Sequence, residues 1–595
     1  MHEMVFYPLW RKLALCPARA RCPFRCLSTA PEMAAMVGGQ PNPRAQHQQS
    51  IPSTGREACL PGARCLSRCL STAPKATTLS VPPIPRAQHH RSIPSTGREA
   101  YPPGARCLST APKMAATVGA LSTQSTPTVH PYESIPNTGR NTWLNFYRLW
   151  RTNGFQYFHQ VMERNFRTYG PIYRENIGTH HSVNIMHPRD VAELFQSEGI
   201  FPRRMRVEAW AAHRQLRNHK CGVFLLNGED WRSDRLVLNK EVMALGGVRK
   251  FLPFLDQVAQ DFVTFMQRRV NKNSRGTLTV DLYSDLFRFT LEASSYVLYG
   301  ARLGLLEENP NSESLRFITA VQTMLRTTLP LLFMPPALLQ RMNSKLWTEH
   351  VTAWDTIFDH AEKCIQNIYQ EFCLGQERKY CGIMAELLLQ GELSLDSIKA
   401  NITELMAGGV DTTAMPLLFT LFELARNPQV QTLLREEIKA ADSQGHQDIT
   451  KLLNSLPLLK GAIKETLRLY PVGITVQRYP TKDVTLHNYR VPAGTLVQVG
   501  LYAMGRSSEV FTKPGRYDPE RWLNKDDNGF KALAFGFGSR QCIGRRIAEM
   551  EMMLFLVHVL RNFQIDTVSK EDVKTVFRFI LMPEKPPLLT FRPIS

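Results

Sequence analysis

The chain lacks several features that would place it in common protein classes. It has no uninterrupted run of about 20 apolar residues, so no transmembrane helix is expected. Its cysteines do not form a disulfide framework, because seven of the 12 precede residue 110 and the others are scattered, which indicates a reducing compartment. Nucleic-acid-binding modules and flavin or iron–sulfur motifs are missing, so we expect no nucleic-acid partner, and electrons for any redox reaction must come from another protein.

Acidic residues are nearly missing from the first 131 positions. Four acids (Glu3, Glu32, Glu57 and Glu99) stand against 15 Arg and Lys, and Ser, Thr, Ala and Pro are plentiful. This composition is typical of a mitochondrial transit peptide, and a generic disordered basic tail would share it. The whole chain of 595 residues has a formal net charge of +20, which favours an acidic partner or an anionic membrane surface.

The same region repeats itself. The heptapeptide Ser-Ile-Pro-(Ser/Asn)-Thr-Gly-Arg starts at positions 50, 92 and 134, a step of 42 residues. These units lack the apolar face of solenoid repeats and are rich in Pro, Gly, Ser and Thr, which predicts disorder. We interpret them as a tandem duplication of a leader–enzyme junction. Only the third copy runs into amphipathic sequence, so we expect a leader over residues 1–130, an enzyme domain over residues 131–595, and a mature start between Leu108 and Ser134.

One cysteine lies in a glycine-rich loop, in the decamer Phe-Gly-Phe-Gly-Ser-Arg-Gln-Cys-Ile-Gly over residues 535–544. Backbone N–H groups, a helix N-terminus and nearby cations can keep its thiolate ionised. The glycines allow the backbone to lie against a large planar partner. Cys542 has no second Cys or His close by, as a zinc site with about four ligands would need, but it suits the axial ligand of a haem. For the residue alone, a buried loop cysteine is the alternative.

A helix is predicted over residues 394–427, with a serine N-cap and an Asn-Pro stop. Its middle is locally unfavourable, because Gly408 and Gly409 cost about 1 kcal/mol each relative to alanine and Pro416 removes a hydrogen bond. Such violations are expected at functional sites. Between them, Asp411 and Thr412 place an acid beside an alcohol, a pair that can relay protons; a plain buried helix with a hydrated kink is the alternative.

Two further groups of charged residues stand out. Glu465 and Arg468 share one helix face, and Arg521 is a candidate third member of a buried triad that would hold the cofactor-binding core together, although most such pairs are solvated. Truncation of the buried glutamate would cost about 3–5 kcal/mol. Trp231 and Arg235 also share a helix face.

The side chains of Trp231 and Arg235 are donors suited to a carboxylate such as a haem propionate. Arg204, Arg478 and Arg540 are candidates to join them. Any one of these arginines, taken alone, is more often an ordinary surface residue.

Together and in this order, the motifs resemble the cytochrome P450 superfamily over about residues 130–595. The resemblance implies a mainly α fold with a small β region, and haem b (iron protoporphyrin IX) with Cys542 as the iron ligand. It implies Asp411 and Thr412 as the catalytic proton-delivery pair and the Glu–Arg–Arg group as a structural triad. The haem contacts that it implies, besides Cys542, are Arg204, Trp231, Arg235, Arg478, Phe535 and Arg540.

Segments 219–228, 416–428 and 578–581 resemble the mitochondrial steroid 11β-hydroxylase/aldosterone synthase group. This implies hydroxylation of an 11-deoxysteroid at carbon 11, with further oxidation at carbon 18 left open. One departure is Thr475, which stands where the group usually has an aromatic residue. Segments 477–479 and 581–586 are also similar to the cholesterol side-chain cleavage enzyme, which is the alternative. The substrate positions are Trp210, Phe224, Glu404, Ala407, Thr475, Phe579 and Ile580.

The resemblance also implies protein partners and a location in the cell. Electrons would come from an adrenodoxin-type ferredoxin, with its NADPH-dependent reductase upstream, docked on Lys460, Lys464, Arg545 and Arg546; a solvated helix face is the alternative for these residues. The apolar segment 329–339 would contact the inner mitochondrial membrane peripherally from the matrix side, or would be buried core. A haem carrier or sensor without turnover is the alternative of another class, and the acid–alcohol pair argues against it.

Overall fold

A computed structural model describes residues 128–373, 382–445, 448–524 and 529–594. Nearly all of the predicted leader (residues 1–130), including its repeats at positions 50 and 92, lies outside the described residues, as does most of the window predicted for the mature start.

Helices make up most of the described chain. In chain order they are α1 (Thr142–Arg151), α2 (Phe158–Tyr169), α3 (Pro188–Gln196), α4 (Glu208–Arg217), α5 (Gly228–Val242), α6 (Leu245–Asn271), α7 (Tyr283–Tyr299), α8 (Ser312–Leu331), α9 (Pro336–Arg341), α10 (Lys345–Cys373), α11 (Gly382–Gln390), α12 (Leu395–Arg426), α13 (Pro428–Ser443), α14 (Ile449–Asn454), α15 (Pro457–Leu469), α16 (Leu501–Arg506) and α17 (Arg545–Asn562).

Short strands form a minor part of the fold. They are β1 (Ile172–Ile177), β2 (His180–Ile185), β3 (Leu278–Asp281), β4 (Thr475–Arg478), β5 (Val484–Leu486), β6 (Tyr489–Val491), β7 (Val497–Gly500), β8 (Phe563–Thr567), β9 (Thr575–Phe577), β10 (Leu581–Pro583) and β11 (Leu588–Pro593).

The strands pair into small sheets. The largest has the order β1-β2-β7-β4, in which β2 and β7 are parallel with Val183 opposite Val497 and the other pairs are antiparallel. A three-stranded sheet has the order β3-β11-β8, and β5-β6 and β9-β10 form two-stranded pairs. The described residues are thus mainly helical with a small β region, which confirms the predicted fold class.

Helix α12 is the central helix of the largest apolar core. The Ser394 side chain caps it by accepting the N–H of Ser397 at 3.2 Å, and it ends at Arg426, before the Asn-Pro step, which confirms the predicted bounds. Helices α7, α10 and α15 pack against it. By length and composition α12 could cross a membrane, but 78% of its most apolar stretch is buried inside the protein, as in the core helix of a domain.

The third copy of the repeated heptapeptide is part of the folded domain. Ile135 is 1% exposed in the apolar cluster beneath the β1-β2-β7-β4 sheet. The Arg174 N–H of β1 donates to the Pro136 carbonyl at 2.7 Å, and the Thr138 N–H donates to the Arg174 carbonyl at 3.1 Å. The heptapeptide therefore pairs with β1 by backbone hydrogen bonds.

The proline-broken segment 329–339 is mostly buried. Leu329, Phe333 and Leu339 are core residues, as the alternative prediction had it. Leu338 and the following Met342 leave 42% and 41% of their surface exposed. Membrane contact by this segment stays a prediction, and among its leucines Leu338 is the exposed one.

Candidate active site

The loop that carries Cys542 bends sharply before helix α17. Gly536 and Gly538 have φ values of +72° and +68°, in the left-handed region that favours glycine. A 3₁₀ turn over Gly538–Arg540 follows, and the Cys542 N–H donates to the Phe535 carbonyl at 2.7 Å. The loop therefore closes on itself and presents the cysteine shortly before the first turn of α17.

Cys542 lies on the uncovered side of its loop. The residue has accessible surface, yet burial by the surrounding protein raises the pKa of its thiol. The N–H of Gly544 and the charges of Arg235 and Arg204 act in the opposite direction and favour the thiolate. Within the described ranges, no group of three or more His, Cys, Asp or Glu side chains is arranged to hold a metal ion.

Four arginines lie close to one another near Cys542: Arg204, Arg235, Arg478 and Arg540. Burial, together with repulsion from the other three, lowers the pKa of Arg540 to about 8. Burial also lowers the pKa values of Arg204 and Arg235 to about 10. Glu198 neutralises part of the charge, because its Oε2 lies 2.5 Å from Arg478 Nε. The cluster keeps a net positive charge.

Arg540 is held in place by the protein, but one of its hydrogen-bond donors has no partner. Its Nη1 donates to the Pro202 carbonyl at 2.9 Å and to Asn227 Oδ1 at 2.8 Å, and its guanidinium stacks 4.6 Å from the Trp231 ring centroid. The Nε atoms of Arg540 and Arg235 are buried without a hydrogen-bond partner. Buried donors without a partner, in a cluster of positive charge, would be satisfied by a bound anion.

These residues fit a haem. Two propionate carboxylates match the surplus positive charge and the free Nε donors of the cluster. Residues 541–550 are half-exposed or exposed, whereas α17 is buried from Glu551 to Leu560, so the start of the helix and its loop leave an uncovered surface. A planar group at that surface would have Cys542 as its iron ligand.

The middle of α12 faces open space. Gly408 and Thr412 are exposed in a helix that is otherwise almost wholly buried, and a Cβ built on Gly408 would meet nothing within 4 Å. The Thr412 hydroxyl donates to the Gly408 carbonyl one turn earlier. The predicted weakness does not break the helix: α12 runs continuously through both glycines and Pro416.

Asp411 is buried beside this exposed face. It is 1% exposed, and neither of its carboxyl oxygens has a hydrogen-bond partner. Burial raises its pKa from 3.8 to about 8, so the carboxyl carries a proton at neutral pH. A protonated acid adjacent to the Thr412 hydroxyl is the state that a proton donor requires.

The predicted triad is assembled around Glu465, which is fully buried. Arg468 binds it through two atoms, Nε to Oε2 at 2.9 Å and Nη2 to Oε1 at 2.7 Å. Arg521 Nε donates to Oε1 at 2.9 Å. The carboxylate also accepts the indole N–H of Trp522 at 2.9 Å and the backbone N–H of Asp518 at 3.0 Å. Glu465 therefore ties α15 to the 3₁₀ helix Pro519–Trp522.

Three of the predicted substrate residues form an aromatic cluster. The Trp210 ring lies 5.1 Å from Phe224 and 5.5 Å from Phe579, and its indole N–H donates to the Thr328 hydroxyl at 2.8 Å. Ala407 and Ile580 are buried. Thr475 lies on β4, where it is paired with Gly500 of β7. The structure thus joins the three aromatic members of the set directly.

Glu404, also predicted to contact substrate, already holds a loop. Its carboxylate accepts the backbone N–H groups of Gly222 at 3.0 Å and Phe224 at 2.9 Å. Asn401, one turn earlier, accepts the N–H of Val223 at 2.7 Å. The carboxylate is therefore engaged in this structure, and its direct contact here is with the segment that carries Phe224.

The four residues predicted to dock a ferredoxin line one cavity of about 330 Å³ between α15 and α17. Lys460 Nζ donates to Asn454 Oδ1 at 3.2 Å, and Arg545 pairs with Glu549, Nε to Oε1 at 2.9 Å. Lys464 and Arg546 line the same cavity. The structure therefore gathers these four basic side chains on one side of the ligand loop.

Sequence reasoning missed several residues of the site. The Asn227 side-chain oxygen accepts hydrogen bonds from Arg540 and from the backbone N–H of Arg204, the latter at 3.2 Å. Asn401 precedes Glu404 by three residues on the same helix face, a spacing that could have indicated it. Glu198 carried no sequence signal, because its partner Arg478 lies 280 residues away.

Comparisons with known proteins agree with this geometry. The family model described as "Cytochrome P450" matches residues 136–591. The chain is 73% identical over 454 residues to "Cytochrome P450 11B, mitochondrial" of Aquarana catesbeiana, covering 76% of this chain and 88% of that protein. It is 51% identical to "Cytochrome P450 11B1, mitochondrial" of Ovis aries, covering 76% and 91%. It is 49% identical to "Cholesterol side-chain cleavage enzyme, mitochondrial" of Oncorhynchus mykiss, covering 76% and 88%.

Proposed function

Because this chain belongs to the cytochrome P450 family, we propose that it is a mitochondrial steroid 11β-monooxygenase that takes electrons from an adrenodoxin-type ferredoxin. One observation carries the proposal: a single thiol lies in a glycine-rich loop near a cationic cluster with unpartnered donors. The steroid class is supported by the 73% identity to a protein named "Cytochrome P450 11B".

The residues have distinct tasks in the proposed reaction. When bound, a thiolate-ligated haem activates O₂, so that one oxygen atom enters a C–H bond and the other leaves as water. Cys542 provides the thiolate, which the Gly544 N–H and two arginine charges help to keep ionised. Arg540 and Arg235 would hold the propionates through their free Nε donors.

Proton delivery falls to α12. The Asp411 carboxyl holds a proton at neutral pH, and the adjacent Thr412 hydroxyl, on the exposed face of the helix, passes it on towards the reacting oxygen. Because a hydroxyl both accepts and donates, Thr412 can transfer a proton without becoming charged. Replacing Thr412 with alanine should therefore raise the share of electrons lost to peroxide.

The aromatic cluster gives the site its apolar wall. Trp210, Phe224 and Phe579 present ring surface, which suits a rigid steroid skeleton and excludes water. Glu404 positions Phe224 by binding its backbone N–H. Carbon 11 is the proposed oxidation site. Thr475 is small and is paired with Gly500. At this position the proposed pocket differs in shape from those of the steroid 11β-hydroxylase/aldosterone synthase group, which usually have an aromatic residue there.

Electrons, in this proposal, arrive on the side that carries the basic cavity. Lys460, Lys464, Arg545 and Arg546 line it and would receive an acidic ferredoxin that is reduced by an NADPH-dependent reductase. We place the protein, in this proposal, on the matrix side of the inner mitochondrial membrane. Apolar side chains such as Leu338 would attach it peripherally to that membrane. Liposome flotation with and without a Leu338→Glu substitution tests that contact.

Two measurements test the proposal. The carbon monoxide difference spectrum of the reduced, haem-loaded full chain reports thiolate ligation; we expect Cys542→Ser to abolish that spectrum and Cys364→Ser, in a different half-buried position, to keep it. Product analysis with 11-deoxycortisol, 11-deoxycorticosterone and cholesterol then identifies the reaction. Formation of 11-hydroxylated products supports the proposal, and cleavage of cholesterol alone would assign the side-chain cleavage activity instead. A thiolate spectrum without turnover of any steroid would indicate a carrier or sensor.

A further inference from the structure

Residues 220–224, here called the wall loop, lie along the first three turns of α12. At the start of the loop, Lys220 Nζ donates to the hydroxyl of Ser394, the N-cap of the helix, at 2.9 Å. Further on, a Cβ built on Gly222 would lie 2.5 Å from the carboxylate of Glu404, so any larger residue would push the loop away from the helix. The wall loop is therefore packed directly against α12.

Three consecutive backbone N–H groups of the wall loop bind two side chains of α12. The Glu404 carboxylate accepts those of Gly222 at 3.0 Å and Phe224 at 2.9 Å. Asn401 Oδ1 accepts the Val223 N–H between them at 2.7 Å. The place of the Phe224 ring thus depends on one carboxylate and one amide.

Asp234 of α5 determines which way the Asn401 amide points. Asn401 Nδ2 donates to Asp234 Oδ2 at 2.7 Å and to the Ser397 carbonyl at 2.9 Å. Because an ionised carboxylate only accepts hydrogen bonds, it binds the NH₂ group of the amide and not its oxygen. The oxygen is left facing the Val223 N–H. Asn401 is 0% exposed, so water cannot replace either partner.

Charged groups around Asp234 belong to the same assembly. Burial raises the pKa of Asp234, whereas its hydrogen bond from Asn401 and the positive charge of Lys220 lower it. Asp230, one turn earlier on α5, raises it. Lys220 therefore favours the carboxylate form from the wall loop itself, and that form keeps the amide oriented.

The two ends of this hydrogen-bonded chain lie at the two proposed binding sites. Asp234 directly precedes Arg235, one of the proposed haem donors on α5. At the other end, the Phe224 ring lies 5.1 Å from Trp210 in the aromatic cluster, and the Phe224 carbonyl accepts from Arg204 Nη2. A displaced wall loop would change the steroid wall and the support of Arg204 together.

We propose that Asn401, oriented by Asp234, is a positioning residue of the steroid site: it holds the Val223 N–H and so keeps Phe224 in the apolar wall. The inference rests on the proposed steroid function. Asn401 acts through the wall loop and needs no contact with the steroid. Because the loop is already fixed on α12, binding does not have to order it, which strengthens binding of a rigid ligand.

The first test removes the amide. In the haem-loaded full chain, Asn401→Leu takes away both the acceptor of the Val223 N–H and the donor to Asp234. We expect the peptide that contains the wall loop to exchange its amide hydrogens about tenfold faster, measured by mass spectrometry. The Kd for 11-deoxycorticosterone, from the steroid-induced change in the haem spectrum, should rise about tenfold. Asn367→Leu, at an exposed position on α10, is the matched control and should change neither.

The second test exchanges the two polar groups. Asn401→Asp keeps an acceptor for Val223 but sets two carboxyl groups against each other, so at pH 8 the Kd should rise about fivefold. Adding Asp234→Asn in the same chain remakes the hydrogen bond with donor and acceptor reversed, and the Kd should return to within about twofold of the original value. A general loss of packing would not be repaired by a second substitution.

Unchanged exchange and Kd in Asn401→Leu would overturn the inference, as would a double variant that binds steroid no better than Asn401→Asp. The carbon monoxide spectrum shows whether each variant keeps its fold; if Asn401→Leu loses it, the exchanged pair decides. An original chain whose haem spectrum does not respond to steroid defeats the proposed steroid function alone. Hydrogen exchange in the wall loop then still decides whether Asn401 holds it.

Discussion

Replacing Glu465 with glutamine is expected to destabilise the domain strongly. Five donors converge on this carboxylate: two from Arg468 and one each from Arg521, Trp522 and the backbone of Asp518. The side chain is fully buried, so water cannot replace a lost acceptor. Glutamine keeps one acceptor oxygen but places an NH₂ group where the other oxygen accepts, so donors would face donors.

The magnitude follows from the geometry. Turning the amide so that its nitrogen replaces Oε2 sacrifices the fewest hydrogen bonds, those from Arg468 Nε and Trp522 Nε1. Hydrogen bonds to charged groups contribute about 1.5–3 kcal/mol each, so the loss is about 3–6 kcal/mol. Breaking a buried ion pair costs about 3–5 kcal/mol in other proteins, which agrees. We therefore expect a loss of about 4 kcal/mol, a large fraction of the ~5–15 kcal/mol that stabilises a typical domain.

Urea unfolding of the full chain, followed by circular dichroism, measures this loss as a lower midpoint at constant slope. Glu436→Gln, at an exposed position on α13, is the matched control and should change the free energy of unfolding by less than about 0.5 kcal/mol. If Glu465→Gln stays within about 1 kcal/mol of the control, the triad does not stabilise the fold as argued here.

Three further predictions concern the site. Arg540→Gln should speed the transfer of haem to apomyoglobin by about ten- to a hundredfold, the equivalent of one charge-assisted hydrogen bond. Because repulsion from its neighbours offsets its hydrogen bonds to Pro202 and Asn227, the same substitution should destabilise the haem-free chain in urea far less than Glu465→Gln does. Burial raises the pKa of Asp411 from 3.8 to about 8, so between these pH values the folded state binds a proton that the unfolded state lacks. The free energy of unfolding should therefore fall as the pH rises from about 4 to about 8. Asp411→Asn should flatten this part of the pH profile of stability. The double variant Lys464→Glu/Arg546→Glu should raise the KM for the ferredoxin several-fold, with little change in kcat at saturation. This increase in KM should become smaller at high salt, which screens exposed charges. A KM that is unchanged and insensitive to salt would rule out docking through these charges.

Local sequence was a good guide where the structural cause is local. The bounds of α12 follow from a serine cap and an Asn-Pro stop, both of which act within one turn. The i, i+3 spacing of Glu465 and Arg468 places both on one face, and the structure shows their side chains bonded. The glycines of the cysteine loop adopt the positive φ values that only glycine favours.

Other features arise only when distant segments meet. Both oxygens of Glu404 are taken by backbone N–H groups about 180 residues earlier in the chain, and no local pattern encodes that pairing. The burial of Asp411 likewise depends on α7 and α8. The apolar segment 329–339 shows the same limit, because its composition suits a membrane and a protein core equally, and packing decides that most of it is core.

The pairing of the third heptapeptide with β1 bears on the predicted removal of the leader, because it sets where a cut would leave the domain intact. The His130 N–H donates to the Asn488 carbonyl, and the Arg490 N–H donates to the His130 carbonyl. Ile135 is buried in the apolar layer below the sheet. A processing protease that cleaved after Ile135 would strip this strand-like edge and uncover apolar surface, whereas trimming before His130 would leave it intact. The upstream copies carry serine where the third has Asn137, whose Oδ1 accepts the Gly139 N–H at 2.9 Å. Within the heptapeptide, Asn137 is therefore the one position at which the copy that pairs with β1 differs from the two upstream copies.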